Sequence, residues 1–175
     1  MSCACPDDFA PPEPTDGAGQ GRSACLAMLE AVLAHPPGGV RGSALFLLDC
    51  CGPRLDDAVL AEVERRLRAA SPAWHRLLRG EAGEFVVVAQ GLVDGGAVLG
   101  AAARLVHAFD DALQTSDLPL CPDVAIGIAF APQHGARAAS MLAAAEASLR
   151  ESRAASRLGR RGTLPAIPPL GSFDQ

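Results

Sequence analysis

The stretch HRLLRGEAGEFVVVAQ, residues 75–90, places Gly80, Glu81, Gly83 and Glu84 where two apolar runs meet. Carboxylates are the ligands that hard divalent cations demand, and glycines let a backbone turn sharply or approach a ligand closely. Such a tip is either a site of chemistry or what is left of one. A further carboxylate, Asp49, ends the apolar run SALFLLD, while RLDD at 54–57 sets Asp56 and Asp57 at a helix start, where negative charge favours the dipole. The six cysteines offer a different chemistry: Cys3 and Cys5 form a C-x-C, Cys50 and Cys51 are adjacent, and Cys25 and Cys121 are single. Neither the paired C-x-x-C spacing of a zinc site nor nearby histidines accompany them, so they read as reduced, buried thiols and no metal centre is expected. Trp74 and His75 read as strand side chains. Arg150, Arg153 and Arg157 share a face at helical spacing and read as the solvated end of a helix, favoured by its dipole. With a net charge of -5 and a pI near 5.3, nucleic acid is not the expected partner, because binding a polyanion needs clustered positive charge.

These groups need a scaffold, and 175 residues at 49% hydrophobic content suffice for one domain with tails. Every basic residue is Arg and Tyr is absent, a bias that fits a GC-rich coding sequence. No apolar run approaches the roughly 20 residues of a membrane span. The first 22 residues lack the basic and apolar regions of a signal peptide, so a disordered leader over 1–21, a domain over 22–160 and a Pro-rich tail over 161–175 are expected, in the cytoplasm. SACLAMLEAVLAH reads as a helix that packs on the domain. SALFLLD, bounded by Gly42 and by Gly52-Pro53, reads as a buried strand, and LDDAVLAEVERRLRAA as an amphipathic helix with Leu55, Val59, Leu60, Val63 and Leu67 on one side. AWHRLLR and EFVVVAQ form a hairpin across residues 80–83. After Asp94-Gly95-Gly96, the residues Val98, Ala102, Leu105, Phe109 and Leu113 mark a second long helix; DVAIGIAF is the fourth strand and AASMLAAAEASLRESRAASR the last helix. The order α, βαββαβ, α predicts a mixed α/β (α+β) chain with a ferredoxin-like core, its helices on one face of the sheet, and flanking helices.

On that scaffold four stretches resemble, in order and register, the GGDEF domains that condense two GTP into cyclic di-GMP in bacteria. RGEAGEF at 79–85 resembles their R-x-G-G-D-E-F turn, ALFLLD their first strand with its metal-binding Asp, AIGIAFAPQHG their S-I-G-I-A strand with its P-x-x-G, and MLAAAEASLRESR their L-L-x-x-A-D-x-A-L-Y-x-A-K helix. The likeness spans about residues 43–157 and implies a nucleotidyl cyclase-type core.

What the resemblance implies about chemistry is a loss. Joining a 3′-hydroxyl to an α-phosphate takes two divalent cations, held in the family by the Asp ending the first strand and by the acidic third residue of the turn. Asp49 matches the first; Gly83 stands at the second. Glu81 and Ala82 replace the two glycines that admit the nucleotide, while Glu84 and Phe85 keep the fourth and fifth places. The guanine-reading Asn and the phosphate Lys have no match in CCGPRLDDAVL, a connection about nine residues short, or more than two helical turns; Asp57 can be laid on the terminal Asp of that segment. Arg153 stands where the last helix presents a phosphate-contacting Lys, and Arg79 matches the Arg before the turn. The R-x-x-D of the inhibitory product site falls on Pro72 and His75 and is absent.

The expectation is therefore a pseudoenzyme: no catalytic or metal-binding residue, with Asp49, Arg79, Glu81, Ala82, Gly83, Glu84 and Phe85 as a relic and Arg153 as a remaining phosphate contact, and without Mg²⁺ or GTP as cofactor. Lacking a fused sensor or output domain, it is expected to act through an interface, on a protein partner in a cyclic di-GMP pathway. That partner would be an active GGDEF protein, an exopolysaccharide or motility component, or a second copy in a homodimer, with the Pro-rich tail lying extended in a groove. The alternatives are a sensor that binds GTP or cyclic di-GMP in a pocket around Asp49, Arg79, Glu84 and Arg153, and a cyclase with displaced ligands.

Overall fold

Residues 43–50 are buried without a break, which a strand with side chains alternating up and down achieves only when both faces of its sheet are covered. The computed structural model describes residues 18–35, 42–51, 55–72, 75–80, 83–113, 120, 122–131 and 133–157. In chain order it contains α1 (Ala18–Ala34), β1 (Gly42–Cys51), α2 (Asp57–Ala70), β2 (Arg76–Arg79), β3 (Glu84–Leu92), α3 (Gly95–His107), β4 (Asp123–Ala131) and α4 (Ala138–Arg157). The strands form one antiparallel sheet in the order β2-β3-β1-β4, the ferredoxin-like order that a βαββαβ chain with two crossover helices produces.

Alternation along β1 divides the core in two. Ala44, Phe46, Leu48 and Cys50 face α2 and α3 together with Phe85, Val87, Ile126, Ile128 and Phe130. Leu45 and Leu47 face the opposite way, against α1 and α4 through Leu29, Val32, Met141, Leu142 and Ala145. Thus the crossover helices share one face, as expected of the unit, and the flanking helices cover the other. Phe46, Phe85 and Phe130 are fully buried on the first side, and each contributes about 1.5–3 kcal/mol by leaving water. On the second side α1 is tied down at both ends: Arg22 pairs with Glu146 of α4, and Gln90 Nε2 donates to the Val32 carbonyl (2.9 Å). The expected leader and tail lie outside the described residues except for 18–21, which begin α1.

Two expected elements change. The helix after Asp94 ends at His107, although its apolar period runs on to Leu113, because Arg66 of α2 takes the carbonyls of Ala108 (3.1 Å), Asp111 (2.5 Å) and Ala112 (2.9 Å) and holds that segment in turns. Phe109 and Leu113 still reach the core, Leu113 through a bridge to Leu120. The first hairpin strand is only Arg76–Arg79: His75 sits in a bend whose amide donates to the Pro72 carbonyl (2.9 Å), and Trp74 lies outside the described residues.

Candidate functional site

Asp49 and Glu84 are direct cross-strand partners at the ends of β1 and β3, so their side chains leave the sheet on the same face. That face carries α4, whose Arg153 reaches down between them. Its Nε donates to Asp49 Oδ2 at 2.6 Å and its Nη2 lies 3.5 Å from Glu84 Oε1. Cys51, two residues on and on the same side, donates its thiol to the same Asp49 oxygen at 3.2 Å. The Asp49 side chain is only 9% exposed, so this pairing does work that water would otherwise do. Partial burial acts to lower the Arg153 pKa, but the hydrogen bond to Asp49 and then the charges of Asp49 and Glu84 outweigh it and raise it above its ordinary value.

Arg79 is elsewhere. It lies opposite Phe85, whose ring is in the core on the α2 side, and its Nη2 donates to Asp57 Oδ1 of α2 at 2.7 Å. The four-residue pocket expected around Asp49, Arg79, Glu84 and Arg153 is thereby corrected: three of these residues meet on one face of the sheet, and Arg79 is on the other. Both arginines hold a carboxylate. Asp56 is the N-cap of α2, accepting from the Val59 amide at 2.8 Å, as expected of RLDD. His75 is half-buried, and burial followed by the charge of Arg104 pushes its imidazole below the usual range.

The turn itself is held by backbone. Gly80 N donates to Glu84 O (2.7 Å), and Cys50 N donates to Gly83 O (3.0 Å), which stitches the turn to the end of β1. Gly83 has φ +88°, and a Cβ built there would lie 2.5 Å from the Cys50 carbonyl oxygen and 3.2 Å from Leu55 Cδ1. The position therefore excludes a side chain for two separate reasons: the backbone angle, and the room. Glu81 and Ala82 lie outside the described residues. Phe85 is fully buried and serves the core.

Two divalent cations do not fit this corner. The Asp49 oxygen is already shared by a guanidinium and a thiol, the neighbouring carboxylate of Glu84 faces the same guanidinium, and Gly83 offers none. Among the described residues no group of three or more His, Cys, Asp or Glu side chains is arranged to hold a metal ion. The thiols are not poised for chemistry either: burial, then the Asp49 charge, raises Cys50 to about 12, and burial raises Cys25 to about 11. Cys51 is exposed but is also raised, by desolvation and its bond to Asp49. Cys3, Cys5 and Cys121 lie outside the described residues, as does the Pro-rich tail.

Sheet order, helix placement and the turn between β2 and β3 define the nucleotidyl cyclase type of ferredoxin-like fold, and solved structures show the same one. The GGDEF domain of TpbB (YfiN) from Pseudomonas aeruginosa superposes with a TM-score of 0.65 at 20% identity, over 82% of this chain and 85% of that one. A sensory box/GGDEF family protein from Caulobacter crescentus gives 0.62 at 22% identity, over 78% and 92%. The diguanylate cyclase SiaD of Pseudomonas aeruginosa, in complex with its activator SiaC, gives 0.64 at 17%, over 77% and 55%. The family model described as diguanylate cyclase, GGDEF domain, matches residues 47–158, and the chain belongs to that family. No curated protein matches the sequence. Among the described residues no helix is long and apolar enough to cross a membrane.

Sequence reasoning set Arg153 and Asp49 in one pocket but missed that they pair directly. The two lie 104 residues apart, and only the shared face of β1 and α4 brings them together. A signal existed in the spacing: Asp49 has the parity of Leu45 and Leu47, and Arg153 is four residues after Leu149 on the apolar side of its helix.

Proposed function

We propose that this GGDEF domain is catalytically silent and acts in cyclic di-GMP signalling by binding another protein. The observation that carries the reading is Gly83. Where the family's turn supplies a metal-ligating carboxylate, this chain has a left-handed backbone pressed against the Cys50 carbonyl, so no ligand is present and none can be accommodated without moving the end of β1. Asp49, the other carboxylate of that chemistry, is neutralised by Arg153 from within the chain. Phosphoryl transfer is catalysed almost wholly by positioning and charge stabilisation through metal ions, so a site whose two facing carboxylates, Asp49 and Glu84, already meet a fixed internal cation, and whose turn supplies no ligand at Gly83, lacks the means. The relic comprises Asp49, Arg79, Gly83, Glu84 and Phe85 with Glu81 and Ala82. Arg153 acts as a structural partner of Asp49.

Stability does not depend on the lost chemistry, because the two apolar layers are complete. A folded domain with a silent site is a surface, and SiaD held by its activator SiaC is a case of a GGDEF protein that meets a protein partner. The nucleotide-sensor reading has no comparable support: its two arginines lie on opposite faces, and each is already paired.

The test is incubation of the purified chain with GTP and Mg²⁺, with the products separated by chromatography, beside affinity capture from bacterial extract. Neither cyclic di-GMP nor pyrophosphate should form, and a discrete protein should be retained. Turnover of GTP to cyclic di-GMP would overturn the reading.

A further inference from the structure

Among the described residues β4 is an edge strand nine residues long, buried on both faces from Ala125 to Ala131, and such an edge is a template on which a foreign strand can pair. The register shows which of its backbone groups point outward. Cys50 N bonds to Gly83 on the β3 side, so even-numbered residues of β1 bond toward β3 and odd-numbered ones toward β4. The partners of Leu45, Leu47 and Asp49 are Ala129, Gly127 and Ala125, which therefore bond inward; within the buried stretch from Ala125 to Ala131, Ile126, Ile128 and Phe130 present their amides outward.

Each of those three amides is taken by a side chain of this same protein. Ile126 N donates to Ser152 Oγ (3.2 Å), Ile128 N to Ser148 Oγ (3.1 Å) and Phe130 N to His134 Nδ1 (2.9 Å). The Phe130 carbonyl is occupied as well, by the His134 amide at 2.8 Å. The two serines are one helical turn apart on α4, matching in 6 Å of helix the spacing of alternate residues along a strand, about 6–7 Å. They reach the edge because α4 lies unusually close to β4. A Cβ on Gly127 would sit 2.2 Å from the Ala145 carbonyl and 2.6 Å from Leu149 Cβ, so glycine between the two outward isoleucines sets the approach.

We propose that Ser148, Ser152 and His134 are a latch that closes the β4 edge to strand addition, and that removing the serine hydroxyls opens this edge to a second copy of the chain. The inference is independent of whether the domain is catalytic. Glycine packing and hydroxyl placement act together: the first brings the helix within reach, and the second occupies the donors that a foreign strand would use. Partners of the domain are thereby directed to other surfaces.

The experiment compares the wild type with Ser148→Ala, Ser152→Ala and the double variant by amide hydrogen exchange and sedimentation velocity across a range of concentrations. Val98→Ala, in the core on the far side of the sheet, controls for lost stability. The double variant should exchange the Ile126 and Ile128 amides at least tenfold faster at low concentration. It should also form larger species as concentration rises, with each single variant intermediate and the Val98 variant unchanged in size. Unaltered exchange at Ile126 and Ile128 would show that the hydroxyls do not guard those amides; faster exchange without any change in association would show that the latch is not what keeps the edge closed. Either result overturns the proposal.

Discussion

Replacing Gly83 by Ala tests whether the silent turn is built into the backbone or is merely a missing side chain. Two costs follow from the geometry. A non-glycine residue held at φ +88° is strained by about 1–3 kcal/mol. A Cβ 2.5 Å from the Cys50 carbonyl must displace backbone that is hydrogen-bonded to the turn, and overpacking of that kind costs about 1–3 kcal/mol more. Against these stands a gain of about 0.4–1 kcal/mol from a less flexible unfolded chain. The clash and the strain win, leaving a net loss of about 3 kcal/mol, which for a domain of this size lowers Tm by about 6–12 °C. Differential scanning calorimetry reads it directly. Gly83→Asp carries the carboxylate that the family's turn uses and meets the same obstruction, so it should be similarly destabilised and form no cyclic di-GMP. A Gly83→Ala protein melting within about 1 °C of the wild type would refute the reasoning, and a Gly83→Asp protein that turned over GTP would refute it more severely.

Asp49→Asn should lower stability by about 1–3 kcal/mol, since it leaves the Arg153 guanidinium without its buried partner, and Asp49→Asn with Arg153→Met should lose less than the sum of the two single changes in a urea-denaturation cycle. Alkaline stability should follow the buried thiols. Cys25 and Cys50 ionise near 9.0 when unfolded but at about 11 and about 12 when folded, so their contribution is intact below pH 9 and is lost as pH rises toward those folded values. Urea midpoints measured from pH 8 to 11 should fall accordingly, and Cys50→Ala should flatten the fall. At pH 8 an alkylating reagent should modify the exposed Cys51 well before Cys25 or Cys50, as peptide mapping would show. Gly127→Ala should cost about 3 kcal/mol or more by pushing α4 off the sheet, with faster exchange at Ile126 and Ile128.

Periodicity made most of the elements legible because burial imposes it. The unbroken apolar run of β1, the one-sided pattern of α2 and the Asp cap of α2 all formed where expected, since each depends on neighbours within a few residues. The end of α3 was misread for a physical reason: Phe109 and Leu113 keep facing the core after the helix has stopped, so the period outlasts the element. In the site, residue types were legible but sides were not. Shifting by one residue along a strand moves a side chain to the opposite face, and the split between Arg79 and Arg153 rests on that parity and on the register of β2 against β3. Nor could the sequence alone reveal that Gly83 is held at a positive φ against Cys50, or that two serines of α4 meet the β4 edge; both follow from contacts between distant segments.

The central position of β1 has a consequence for how this protein is made. Leu47 lies between Val86 and Gly127, which follow it by about 40 and 80 positions, so both strand neighbours of the most apolar strand are synthesised after it. At typical bacterial translation speeds of up to about 20 residues per second, the β4 side of that strand stays open for roughly 4 s or more. Contacts this distant in sequence also close slowly once the chain is complete. The nascent segment ALFLLDC thus waits with apolar surface uncovered, and added chaperone during expression should raise the yield of folded protein more than the stability of the finished domain suggests.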